Sequence, residues 1–111
     1  MKICITAQGE TLDSPVEERF GRAPYFILVD RETGSFEAMQ NPYAAGAGGV
    51  GPKAAQLLIA HDIQALISGQ VGGNAREVLV AAKIAMYTYR DGGPVKDALA
   101  RFTNNTLARE G

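Results

Sequence analysis

The stretch ALISGQVGGNAREVL, Ala65 to Leu79, decides how the chain is read. Ala65–Ser68 is short and almost wholly apolar, which suits a central strand buried on both faces. Gly69–Asn74 follows as a glycine-rich loop. Ala75, Val78, Leu79 and Ala82 then fall at i, i+3, i+4 and i+7, one face of a helix. A strand, a glycine turn and a helix in this order form half of a crossover unit.

Working outward, the same grammar recurs. Ile84–Tyr89 reads as the next strand, Arg90-Asp91-Gly92-Gly93 as a turn, and a helix starts at Pro94 with Val95, Ala98, Leu99 and Phe102 on one face. Upstream, a helix from about Pro52 aligns Ala54, Leu57, Leu58 and His61, with proline in a first turn where its missing N–H costs nothing. Before it lies Asn41–Pro52, containing GAGGVG. Ile3–Ala7 reads as the first strand and Glu10–Ala23 as a long polar loop. Tyr25–Asp30 and Ser35–Gln40 form an antiparallel hairpin around Glu32-Thr33-Gly34, with glycine where a positive φ is expected. The order is β-β-β-α-β-α-β-α. Right-handed crossovers then give an α/β fold, a five-stranded mixed sheet flanked by three helices. With no repeat and no linker, one domain over residues 1–111 is expected, with 103–111 as a weakly ordered tail.

Composition narrows the function. The chain has 111 residues, 46% hydrophobic and 21% charged, enough for one core. A formal net charge of −1 offers no broad attraction to nucleic acid or anionic membrane. No apolar run approaches the roughly 20 residues of a membrane span, and the N-terminus lacks a secretory h-region. A cytoplasmic protein is expected. The single cysteine excludes an internal disulfide and CxxC metal sites.

If the first, third, fourth and fifth strands run one way, four connections meet at one sheet edge: Gln8–Pro24, Gln40–Pro52, Gly69–Asn74 and Tyr89–Pro94. They hold most of the glycine, together with Arg19, Arg22, Arg76 and Arg90, and Lys53 lies just inside a helix. Open sheets with crossover helices bind ligands at this kind of edge, and helix N-termini favour anions. Each glycine loop alone reads equally as a tight strand-to-helix turn; their convergence favours a site. GAGGVGPK lacks the Gly-Lys-Ser/Thr ending of a P-loop, which argues against a nucleotide triphosphatase.

Catalytic chemistry finds little support. Glu10, Asp13, Glu17 and Glu18 read as a solvated face, and the first strand carries no acidic metal ligand. The one histidine, His61, falls at a helix C-terminus on the opposite edge, Cys4 reads as a buried small hydrophobe, and Ser14 and Ser68 have no histidine beside them. A binding module is expected, not an enzyme.

RFGRAPYFILVD (Arg19–Asp30), Asn41 with GAGGVG, ALISGQVGGNAREVL and KIAMYTY together resemble the dinitrogenase iron–molybdenum cofactor biosynthesis family, which includes NifX-type carriers and the C-terminal domain of NifB. The resemblance implies a ribonuclease H-like fold. It also implies binding and carriage of an iron–sulfur or iron–molybdenum cofactor precursor cluster, with metallocluster assembly proteins as partners. By motif position the resemblance covers Phe20, Gly21, Arg22, Ala23, Tyr25, Asn41, Gly46, Gly48, Gly69, Gly72, Asn74 and Ala75. Taken with the cationic glycine edge, the expected binding residues are Arg19, Arg22, Gly46, Gly48, Gly69, Gly72, Gly73 and Asn74. Arg22 is expected to contact an anion, with Arg19 second, while Phe20 and Phe26 anchor the loop. The last glycine loop often carries a histidine in that family; here Gln70-Val71 stands there, so this loop offers iron no imidazole. The alternative is a small-anion or nucleotide-binding regulatory module unconnected to nitrogen fixation.

Overall fold

The structure is a computed structural model that describes residues 1–110. Its strands are β1 (Lys2–Ala7), β2 (Tyr25–Asp30), β3 (Phe36–Gln40), β4 (Ala65–Ser68), β5 (Ala85–Thr88) and β6 (Ala108–Glu110). Its α-helices are α1 (Val50–Ala60), α2 (Gly73–Ala81) and α3 (Val95–Thr103), and Phe20–Arg22 forms one 3-10 turn. The sheet order is β3-β2-β1-β4-β5-β6. β2 is antiparallel to β1 and β3 to β2, while β1, β4 and β5 are parallel. The first, third, fourth and fifth strands therefore share one direction, as the crossover reading requires.

Alternation along the strands builds two apolar layers. Cys4, Phe26, Leu28, Leu66 and Met86 face α1 and α2, meeting Ala54, Ala55, Leu58, Ala75 and Leu79. Ile3, Ile5, Ile27, Val29 and Ile67 face the other way, toward Val95, Ala98 and Phe102 of α3. Each large side chain taken from water contributes about 1.5–3 kcal/mol. β4 is buried along its whole length because both layers cover it. The hairpin turn holds Gly34 at φ 76°, as its sequence demands.

The expected five-stranded sheet is corrected to six strands. Residues 103–111, read as a weakly ordered tail, carry β6, which pairs antiparallel with β5 through Met86–Glu110, Tyr87–Arg109 and Thr88–Ala108. Gly111 lies outside the described residues. Leu107 packs on the α3-side layer, and Arg76 of α2 pairs with Glu110 at 3.3 Å. Those partners are distant in sequence, and β6 has no β-branched run of its own to announce it. Helix starts also shift. α1 begins at Val50, keeping Pro52 within its first turn, and α2 begins at Gly73, inside the stretch read as loop.

Candidate functional site

α1 and α2 each connect parallel-running strands, so both lie antiparallel to those strands and their N-termini emerge together at the carboxyl edge. They start side by side: a Cβ on Gly51 would stand 3.1 Å from that of Ala75. α1 is capped by Gly49 at φ 66°, a left-handed conformation that favours glycine. α2 is capped by Gly72. Neither helix has a side-chain cap or an acidic residue in its first turn, whereas α3 carries Asp97 there. Among the described residues, the amides of Gly48, Gly49, Val50, Gly51, Gly72, Gly73, Asn74 and Ala75 have no hydrogen-bond acceptor. Two parallel dipoles thus place roughly half a positive charge each at the same spot, uncompensated.

The Phe20–Arg22 turn completes the site. Gly21 lies so close to α1 that a Cβ there would approach the backbone of Gly51 at 3.1 Å. Between the turn and the two helices is a shallow pocket of about 250 Å³, lined by Arg19, Gly21, Arg22, Gly51, Gln70 and Gly72 among others. Phe20 anchors the turn in the core, 1% exposed and stacked on Phe26 at 5.6 Å between ring centroids. The chain before it is laced to Gln70, just past β4, and to β1. Gln70 N–H donates to the Glu18 carbonyl (2.6 Å), Phe20 N–H to the Gln70 carbonyl (3.0 Å), and Thr6 Oγ1 to the Glu17 carbonyl (2.7 Å).

The residues expected at the site divide into two groups. Arg19, Gly48, Gly72, Gly73 and Asn74 are exposed at the edge, and a Cβ added at any of those three glycines meets open space. The Arg19 side chain makes no hydrogen bond or ion pair with a described residue; only its backbone N–H is engaged, by the Glu17 carboxylate at 3.0 Å. Arg22, Gly46 and Gly69 are instead engaged with the protein. Arg22 Nη1 donates to the carbonyls of Ala44 (3.0 Å) and Gly46 (2.7 Å). A Cβ on Gly46 would strike Val50 Cγ1 at 2.7 Å, and Gly69 is buried beneath Glu18. Of the other cations, Arg90 Nε donates to the Gly69 carbonyl (2.8 Å), Arg76 pairs with Glu110, and Lys53 lies over the Tyr43 ring.

Two polar arrangements went unread in the sequence. Asn41 is 4% exposed, and its Nδ2 donates to the carbonyls of Gly21 (3.2 Å) and Ala23 (2.9 Å) while its Oδ1 accepts from Tyr43 N–H (3.0 Å). Its place before a glycine run was the only signal. Tyr89, placed by the sequence only at the end of a strand, donates its hydroxyl to Asp97 at 2.5 Å beneath α3. Burial of the ring, then the Asp97 hydrogen bond and charge, push the Tyr89 phenol above its ordinary value, with Arg101 opposing. Cys4 is fully buried in β1, and burial pushes its thiol far above the usual range. Among the described residues no three His, Cys, Asp or Glu side chains gather as a metal-ligand set. No helix is long and apolar enough to cross a membrane.

Fold and site give an α/β domain whose open edge presents backbone amides and a guanidinium. The chain belongs to the dinitrogenase iron-molybdenum cofactor family, whose pattern it matches over residues 1–105. It is similar to the apo form of the orange protein from Desulfovibrio gigas, with 34% identity, a TM-score of 0.94, and coverage of 99% of this chain and 92% of that one. It is likewise similar to a NifB-like protein from Thermotoga assigned to the DUF35 family, with 38% identity, a TM-score of 0.86, and coverage of 97% and 91%. PH0822, 22% identical with a TM-score of 0.80 over 99% of this chain and 96% of its own, shares the fold. No curated protein matches the chain by sequence.

Proposed function

We propose that the chain is a non-enzymatic carrier domain that holds an anionic iron–sulfur or iron–molybdenum precursor cluster as cargo at the carboxyl edge of the sheet. The observation that carries this reading is the pair of adjacent, uncapped helix N-termini, α1 and α2, beside the unpaired Arg19 guanidinium. Amide N–H groups and a guanidinium hold an anion by charge-assisted hydrogen bonds and need no covalent bond to metal. That donor set fits a sulfide-rich anion held through its outer atoms. Direct ligation fits poorly: Cys4 is buried within the sheet, and His61 caps the far end of α1. Weak, amide-based attachment also suits transient carriage, with release to metallocluster assembly proteins.

The same donors suit a small oxyanion, which gives the second reading, an anion-binding regulatory module. Anaerobic titration with a synthetic, thiolate-capped [4Fe–4S] cluster, with and without excess inorganic phosphate, separates the two. Saturable cluster binding that phosphate does not displace supports the carrier reading. Absence of cluster binding alongside a competent carrier control rejects it, and tight phosphate binding in that case selects the second reading.

A further inference from the structure

The Phe20–Arg22 turn and the loop from Asn41 to Gly49 are fastened by a reciprocal exchange of side chains. Asn41, from the loop, donates to the carbonyls of Gly21 and Ala23 in the turn. Arg22, from the turn, donates to the carbonyls of Ala44 and Gly46 in the loop. Four carbonyl oxygens are thereby turned into the seam between the two segments. The arrangement matters because the turn borders the pocket, and the loop leads directly into Val50 and Gly51, which line it and whose amides open α1. A carbonyl oxygen facing that pocket would repel an anion as an amide N–H attracts it.

We propose that Arg22 is a positioning residue of the cargo site, which acts by holding the Ala44 and Gly46 carbonyls in the seam and not by touching the cargo. Asn41 is its buried counterpart. The inference rests on the carrier reading. Arg22 commits its Nη1 to two carbonyls, whereas the Arg19 side chain makes no bond with a described residue, so the direct cationic contact is assigned to Arg19. The loop is drawn down until Gly46 touches Val50, where a Cβ would come within 2.7 Å of Cγ1.

The test uses Arg22→Ala and Arg19→Ala in the full chain, with two readouts. Amide hydrogen exchange is measured by NMR in the free protein, and affinity is measured with the thiolate-capped [4Fe–4S] probe. For Arg22→Ala, exchange of the Gly46 amide, which donates to the Tyr43 carbonyl at 2.9 Å, is expected to rise about tenfold relative to that of Ile67 in β4. Probe affinity is expected to fall about tenfold with it. For Arg19→Ala, affinity falls while Gly46 exchange stays at the wild-type rate. If Arg22→Ala loses affinity with Gly46 exchange unchanged, the guanidinium contacts cargo directly and the proposal is wrong. It is equally wrong if exchange rises and affinity does not move. Should Arg22→Ala fail to fold, Arg22→Gln, with part of the stem and one neutral donor, carries both readouts. Failure of the wild-type chain to bind the probe rejects the carrier reading alone, and the exchange measurement still decides whether Arg22 holds the loop.

Discussion

Gly69→Ala is the most demanding perturbation of the framework beneath the site. A Cβ at this position would lie 2.6 Å from Glu18 Cγ, 2.8 Å from Glu18 Cα and 2.9 Å from the Glu18 carbonyl oxygen. The Cγ can swing aside, since Glu18 is exposed. The two backbone atoms cannot, because Gln70 N–H holds the Glu18 carbonyl at 2.6 Å and Phe20 N–H holds the Gln70 carbonyl at 3.0 Å. Overpacking of this kind costs about 1–3 kcal/mol, and loosening either hydrogen bond adds about 0.5–1.5 kcal/mol. Reduced freedom of the unfolded chain returns about 0.4–1 kcal/mol. The net loss is about 2 kcal/mol, or roughly 8 °C in Tm for a domain of this size. Urea unfolding followed by far-UV circular dichroism measures it as a lower midpoint with an unchanged slope. A Gly69→Ala variant as stable as wild type would refute the close packing of Glu18 over Gly69, and with it the stated anchoring of the Arg19–Arg22 segment.

Other outcomes follow from the same geometry. Gly73→Ala is the counterpart: its Cβ meets open space in the first turn of α2, so stability should hold or rise by up to about 1 kcal/mol in the same urea assay, while probe affinity falls because a methyl group stands over the free amides. Tyr89 keeps its proton more tightly when folded than when unfolded, so its contribution is complete below the unfolded value of about 10 and is lost as pH rises through the higher folded value. Thermal melts from pH 8 to pH 11 should show this alkaline loss in wild type and a smaller one in Tyr89→Phe. Cys4 should resist iodoacetamide in the native protein and react on unfolding in urea, since a fully buried thiol with a raised pKa offers no accessible thiolate; mass spectrometry reads the adduct directly.

The parts of the fold visible in sequence are those set by local rules. The β2–β3 hairpin follows from the β-branched and aromatic run of Tyr25–Val29 and from Gly34, and β4 is legible from Ala65 to Ser68 because nothing polar interrupts it before Ser68. The strand β6 was not visible, because Ala108–Glu110 is a strand only by virtue of β5 and Arg76. The site shows the same division. The edge where glycine loops meet follows from topology alone. Which glycines open to solvent and which are packed does not, since Gly69 and Gly72 differ only in whether Glu18 lies above them. The sequence ranks Arg22 ahead of Arg19 for an anion, because nothing local shows that loop carbonyls engage the first and not the second. One is engaged by carbonyls 22 and 24 residues away, and the other is left free.

In the carrier reading the cargo sits where α1 and α2 begin. The most direct measurement is residue-resolved NMR of the nitrogen-15-labelled chain during anaerobic titration with the thiolate-capped [4Fe–4S] probe. The expected result is shift or loss of amide signals concentrated at Gly48–Gly51 and Gly72–Ala75, with the hairpin around Gly34 unaffected. Perturbation centred elsewhere, for instance on the cavity between Gln8, Glu18 and Arg90, or no perturbation at saturating probe, would contradict it.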